Sequence, residues 1–367
     1  MTTNLMQASS QWATRPDDER FLSLQELYES GLADDQCSSH EWIVNADLVA
    51  KADPENESAG VHFSLKSGPE VKLTPTHWAF GQVCQQATVP VRHIRKLHPA
   101  LAAMDINYCM DKYAVREEQK LLVKRNGGAL MRSVTSPSYG YIPNHLVTKS
   151  VMHMNEKTGN YWEIPAASYS QADPRRATTL YKGDRNQFIF LVDPHRPVEF
   201  AGTDGKKETL FRGFFITNSE VGNMVVGITT FLYRYVCDNR IVWGAEDVKE
   251  IRMRHSKFSP ERFEREGPAY LMRYAESSPA LLEDKLRNAA TIEIGKTRDK
   301  GIEWLVDQSF TKSEATRVVE FAENEEGGSR SLWDIVNGGT ALARGIKNTD
   351  DRIDFERKVS KLLDLAA

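Results

Sequence analysis

The chain has 367 residues, 40% hydrophobic and 27% charged, with a formal net charge of −4. That length can bury a sizeable core, and the composition is that of a globular protein rather than a disordered or fibrous one. No run of about 18 apolar residues occurs, which argues against a transmembrane helix and for a protein with no membrane partner. The first residues, MTTNLMQASSQWATRPDDER, lack the basic and apolar regions of a secretory signal. Cys37, Cys84, Cys109 and Cys237 are scattered without a C-x-x-C pair, as expected of core thiols in a reducing cytoplasm. Cys84, Cys109 and the histidines lack the ligand spacing of zinc modules, so neither a metal nor a cofactor is expected.

The small net charge conceals a segregation. Residues 1–81 carry 5 Lys/Arg against 13 Asp/Glu, and residues 263–367 carry 16 against 20. Between them, residues 82–157 carry 11 against 5 and residues 171–262 carry 15 against 12. A basic middle between acidic flanks fits ordinary solvated surface, and fits equally a polyanion site on the central sheet that the ends shield from indiscriminate binding.

In chain order, Phe21–Tyr28 reads as a short helix or strand-capping element. HFSLKSGPEVKL alternates around Ser67-Gly68-Pro69, which predicts a small hairpin. Thr74-Pro75 can start a helix carrying Phe80, Val83, Cys84 and Ala87 on one face. Thr88-Val89-Pro90 breaks it, and Val91, Ile94, Leu97 and Leu101 line a second helix. Gln82 to Leu97 thereby resembles a helix-turn-helix with basic Arg92, His93, Arg95 and Lys96, except that Thr88 replaces the usual turn glycine. A generic helical hairpin with a solvated basic face is the favoured reading of this stretch.

A strand-rich section follows. Asn126-Gly127 between two alternating runs is a hairpin signal, and Asp204-Gly205 marks another. SPSYGYIPN is a loop leading into a helix from about Asn144 to Asn155. TLYKGDRNQFIFLVD is a strand pair or long bent strand. Leu210 to Gly244 concentrates aromatic and β-branched residues, and its alternation sets Phe231, Tyr233, Tyr235 and Cys237 opposite Leu232, Arg234 and Val236. After Gly244 the pattern turns helical. Ser259-Pro260 starts a helix that Gly267-Pro268 is expected to interrupt, and Leu282, Leu286 and Ala289 continue the period. Thr311-x-x-Glu314 is a capping box for a helix ending at Gly327-Gly328. Leu332, Ile335, Val336 and Gly339 form a further face, as do Phe355, Val359, Leu362 and Leu363 behind Asp350 and Asp351. The expected fold is α+β: a central antiparallel sheet or meander, an N-terminal helical hairpin and a helical C-terminal region. Its expected parts are an acidic segment 1–73, an α+β core 74–257, and helices 258–367 packed on that core.

SQWATRPDDERFLSL, LYKGDRNQFIFLVD, RGFFITNSEVG, FLYRYVCDNRIVWG and SLWDIVNGGTALAR resemble the phage/plasmid-like protein family built on domain of unknown function 932. Asn218-Ser219-x-x-Gly222 followed by Val236-Cys237-x-Asn239 carries the most specific part of that likeness. The resemblance implies a mobile-element protein in a bacterial cytoplasm, near DNA metabolism, and supplies no catalytic residues.

Enzyme signatures are absent: there is no P-loop, no G-x-S-x-G, no H-E-x-x-H and no dinucleotide-binding glycine motif. The leading expectation is therefore a non-enzymatic, single-stranded-DNA-binding or annealing protein. Tyr139, Tyr141, Tyr181, Tyr233 and Tyr235 would supply stacking faces; Arg175, Arg176, Lys182, Arg185, Arg212, Arg234 and Arg240 would neutralise phosphates. Three alternatives compete. They are a helix-turn-helix duplex reader, a metal-dependent nuclease using Asp184, Asp193 and Glu220, and a phage protein acting on a host protein. Homo-oligomerisation is left open.

Overall fold

The computed structural model describes residues 16–53, 60–67, 70–114, 116–165, 178–234, 239–242, 251–278, 280–343, 345–346, 355–356 and 358–366. The N-terminal half contains β1 (Arg20–Phe21), α1 (Leu24–Gln36), β2 (Ser38–Val44), β3 (Leu48–Ala52), β4 (Val61–Leu65), β5 (Leu73–Pro75), α2 (His77–Gln86), α3 (Val91–Ile94), α4 (Pro99–Tyr113), β6 (Glu118–Arg125), β7 (Ala129–Thr135) and α5 (Asn144–Lys157). The second half contains β8 (Leu180–Lys182), β9 (Gln187–Ala201), β10 (Lys207–Asn218), β11 (Val226–Arg234), β12 (Asn239–Val242), β13 (Ile251–Met253), α6 (Ser259–Glu276), α7 (Ala280–Thr291), α8 (Arg298–Asp307), α9 (Lys312–Glu326) and α10 (Leu332–Ala343). The fold is α+β around a central antiparallel sheet. Among the described residues no helix is long and apolar enough to cross a membrane.

The central sheet is seven-stranded, ordered β1-β8-β9-β10-β11-β12, with β13 also pairing β11. Its middle is the expected meander: Gly205 turns β9 into β10 at φ +77°, and β10 pairs β11 from Leu210↔Arg234 to Thr217↔Gly227. The strand alternation gives the sheet two unlike faces. One is aromatic, a cluster of Tyr181, Phe188, Phe190, Phe215 and Phe231 in which Phe190 stacks on Phe231 at 4.7 Å. Gly213 lies opposite Phe231 in register, and a Cβ there would sit 2.3 Å from the Phe231 ring. The glycine is thus the floor on which the ring lies.

The other face is aliphatic and splits between two cores. Leu180, Ile189, Leu191, Phe214, Ile216 and Ile228 pack with residues of α1, α5 and α6. Val198, Phe200, Leu210 and Leu232 pack with the C-terminal helices, including Leu286, Val318, Trp333 and Val336. The helices 258–367 therefore share a core with the sheet.

The Asn126-Gly127 hairpin forms as expected, with Gly127 at φ +68°, but it belongs to a second, six-stranded sheet ordered β2-β6-β7-β5-β4-β3. The described strands of the segment 1–73 share that sheet with residues of the expected 74–257 core, since β2 to β5 pair with one another and with β6 and β7. The two strands expected around Ser67-Gly68-Pro69 do pair: β4 and β5 are antiparallel, registered among the described residues at Phe63↔Leu73, while β4 pairs over more of its length with β3; Gly68 and Pro69 lie outside the described residues.

Two helical expectations need correction. α6 runs through Gly267-Pro268 without a break. A proline strains the residue before it through that residue's Cβ, and Gly267 has none. The helix expected from Val91 to Leu101 is instead the single turn α3 followed by α4, which starts at Pro99. Thr88 adopts the left-handed conformation at φ +57° that the helix-turn-helix resemblance reserves for glycine. A one-turn second helix cannot lie along a major groove as a recognition helix does. The capping box of Thr311 and Glu314 is present, and Gly327 ends α9 at φ +74°. Asp350 and Asp351 lie outside the described residues.

Candidate nucleic-acid interface

The turn Asn218–Gly222, between β10 and β11, joins the two sheets. Pro143 precedes α5 and has no side chain to cap it. Glu220 caps instead: its Oε1 accepts the Asn144 backbone N–H at 2.8 Å, where the helix dipole favours a carboxylate. Its Oε2 accepts Arg132 of β7 at 2.8 Å, both side chains being 4% exposed or less. The Asn218 amide donates to the Ile142 carbonyl at 2.9 Å and to Asn144 Oδ1 at 2.8 Å. Gln187 Nε2 donates to the Asn144 carbonyl and to Thr148 Oγ1, each at 3.1 Å.

The remaining turn residues are held as firmly. Tyr139 donates its hydroxyl to the Ser219 carbonyl at 2.7 Å and accepts the Gly222 N–H at 3.0 Å. Burial pushes that phenol's pKa well up. Trp78 Nε1 and Gln82 Nε2 of α2 donate to the Val221 carbonyl at 2.8 and 2.9 Å. Ser219 Oγ donates to the Arg185 carbonyl at 2.7 Å.

A second tie runs through α1. Asp34 accepts hydrogen bonds from Lys124 of β6 and Lys182 of β8. Burial pushes the Asp34 carboxyl up, but the two lysines outweigh it and hold it below the usual range. Burial lowers the Lys182 ammonium, with Asp34 opposing. Tyr141 donates to Asp35 Oδ1 at 2.8 Å.

The sequence-predicted binding residues are scattered by this framework. Arg175, Arg176 and Tyr235 lie outside the described residues. Tyr233 and Arg240 are paired in register across β11 and β12, with Arg234 beside them opposite Asn239; their side chains are outside the described set. Lys182 is committed to Asp34. Arg212 is fully buried, donating to the carbonyls of Ser277 at 2.7 Å and Tyr274 at 3.3 Å, so it caps the C-terminus of α6 rather than offering charge to a phosphate. Tyr139 and Tyr141 serve the junction, and Tyr181 is 3% exposed with its hydroxyl donated to Thr178. The nuclease triad is not assembled: Asp193 accepts Arg196 Nε at 2.6 Å, Glu220 holds Arg132, and among the described residues no three acidic, His or Cys side chains cluster for a metal.

Arg185 is the exception. It sits in the β8–β9 turn, held by Ser219, and its Nη2 meets His77 Nδ1 at 2.8 Å. Its guanidinium lies 5.5 Å from the Trp78 ring centre. From the other side, Arg95 donates Nη2 to the His77 carbonyl at 2.9 Å and lies 5.6 Å from the Phe80 ring centre. Burial, then Arg95, then Arg185 lower the His77 pKa, and no carboxylate among the described residues opposes them. Among the described residues no acid pairs with either arginine. Arg92, His93 and Lys96 are exposed on the same connection. A cavity of about 270 Å³ opens beside this edge, lined by residues including His77, Phe80, Arg95, Leu97 and Pro99.

The sequence pointed to Arg185 and, separately, to the basic α3 region, but not to their meeting. His77 and Trp78 were missed; the signal was the aromatic pair in THWAF at the mouth of a helix, read only as its start. No protein-family model, curated protein or solved structure matches this chain.

Proposed function

We propose that the protein binds nucleic acid, single strands in preference to duplex, and serves the DNA metabolism of a phage- or plasmid-type element in a bacterial cytoplasm. The observation that carries the reading is the convergence of Arg95 and Arg185 on His77 without an opposing carboxylate among the described residues. Unopposed guanidinium groups attract phosphates. Each here lies over an aromatic ring, and planes of this kind stack unpaired bases, which duplex keeps inside its own stack. The single-turn α3 speaks against groove reading. The binding face is thus the α2–α3 edge where the two sheets meet, rather than the broad face of the central sheet.

The test is titration of a labelled thymidine oligonucleotide and a duplex of equal length at several salt concentrations. Arg95→Glu with Arg185→Glu should weaken single-strand binding and flatten its salt dependence, each lost phosphate contact removing about 0.7 from the log–log slope. Strand binding unaffected by both changes would overturn this placement. Retention of neither strand nor duplex at low salt would overturn the function and leave a protein partner as the reading to pursue.

A further inference from the structure

We infer that the cavity beside Arg95 receives one unstacked nucleobase, whose phosphate lies against the Arg95–His77–Arg185 edge. The inference rests on the nucleic-acid reading of this edge and deepens it, by naming the unit that is bound. At about 270 Å³ the cavity has room for one base and lies just below the usual range of small-molecule sites, ~300 Å³ upward. Its walls suit a flat, weakly polar ring: Phe80 offers an aromatic surface, and Pro75, Ile94, Leu97, Pro99 and Ala102 offer aliphatic ones.

The polar groups of the lining are largely engaged elsewhere. Thr76 Oγ1 donates to the Arg132 carbonyl and accepts the Ala79 N–H, and the His77 carbonyl takes Arg95. A base in this cavity is therefore gripped by its faces rather than read by its edges, so all bases are accepted about equally. The positive charge lies beside the opening, on Arg95 and, beyond the neutral His77, on Arg185, where a phosphate attached to that base would emerge. The first turns of α2 and α4 both contribute lining residues, His77 and Phe80 from one, Pro99 and Ala102 from the other. Both helices thus present their positive ends toward the same opening.

The same chemistry is offered by an unpaired base within a strand and by a free nucleotide, and the experiment separates them. The full-length chain is titrated at low salt with a thymidine oligonucleotide, with an abasic strand of equal length, and with dAMP alone. The abasic strand should bind roughly tenfold more weakly than the thymidine strand. Leu97→Trp, which fills the cavity from a half-buried loop position, should bring thymidine-strand binding down to the abasic level and leave abasic binding unchanged. Phe80→Leu, which keeps the wall apolar but removes its aromatic face, should do the same in part.

Equal affinity for thymidine and abasic strands in the unaltered protein would overturn the inference while the nucleic-acid reading stood. If no strand binds but dAMP does, and Leu97→Trp abolishes that binding, the cavity is a free-nucleotide site and the polymer reading falls. Binding of neither strand nor dAMP overturns both.

Discussion

Arg132 and Glu220 meet at 2.8 Å across the junction of the two sheets, with 4% and 2% of their side chains exposed. Glu220 also caps α5, so one carboxylate ties a strand of the second sheet, a turn of the first and a helix N-terminus. Removing either partner strands a buried charge, which costs about 3–5 kcal/mol. Glu220→Ala and Arg132→Ala should each lower the urea midpoint by a corresponding amount. Arg132→Met with Glu220→Leu should recover much of the loss, because the paired apolar replacement leaves no charge behind. A double variant as unstable as either single one would show that the cap on Asn144, not the ion pair, dominates.

Thr88 holds a left-handed backbone, φ +57°, with its hydroxyl donated to the Ala87 carbonyl at 2.7 Å. A β-branched residue is strained there by roughly 1–2 kcal/mol. Thr88→Gly should therefore raise thermal stability, with a net gain of about 1 kcal/mol after the glycine's extra unfolded-state entropy. Differential scanning calorimetry decides it, and a fall in Tm would mean that the hydroxyl contact outweighs the strain.

The central meander and the capped C-terminal helices were legible because their signals are local. Asp204-Gly205, Asn126-Gly127 and Thr311-x-x-Glu314 each fix a turn or cap within a few residues. What stayed hidden was long-range. Nothing in β2 or β5 announces that they pair with β6 and β7 far along the chain; β2 is largely polar and half exposed, so its alternation is weak. The candidate site was half legible for the same reason. Arg185 and Arg95 are both basic residues near turns, but their convergence depends on Ser219 and Trp78 holding the β8–β9 turn against α2. Arg212 misled because its charge reads as one offered to a phosphate, when it is in fact a buried helix cap.

The C-terminal helices should not fold alone. Their core includes Val198, Phe200, Leu210 and Leu232 from the central sheet, so a fragment from residue 258 onward would expose the apolar surface those residues cover. Limited proteolysis should cut first in the connections between β3 and β4, at Thr203–Lys207, and near residues 324–329. Early release of a protease-resistant fragment beginning near Phe258 would contradict the shared core.

Acid should loosen the protein in two stages. Burial lowers the pKa of His40 and His255, which are therefore neutral in the fold. Their contribution is complete above about pH 6.5 and is lost as pH falls toward their folded values. Asp34, held low by Lys124 and Lys182 against its burial, contributes above about pH 3.9 and is lost as pH falls through its folded value. Asp34→Asn should cost roughly 1–3 kcal/mol at pH 7, and its urea midpoint should converge on that of the unaltered protein as pH falls below 4. A constant difference across that range would remove the carboxylate's charge from the explanation.

The last expectation concerns binding and pH. In the free protein, burial and the two flanking arginines keep His77 below its ordinary pKa, so it is largely neutral at pH 7. A phosphate placed against it would favour the protonated form and raise its pKa in the complex. Binding then takes up a proton, and affinity rises as pH falls through the complex's value. It levels off once the free His77 is protonated as well, below about pH 6.5. Each unit of pKa difference is worth about tenfold in affinity. His77→Gln can retain a hydrogen bond to Arg185 without titrating, and should bind with an affinity that hardly changes between pH 8 and pH 5.5. The experiment is anisotropy with a thymidine oligonucleotide at fixed ionic strength, restricted to pH values where circular dichroism shows both proteins folded. If the unaltered protein binds with the same affinity across that range, or if His77→Gln keeps the full pH dependence, the phosphate does not sit beside His77.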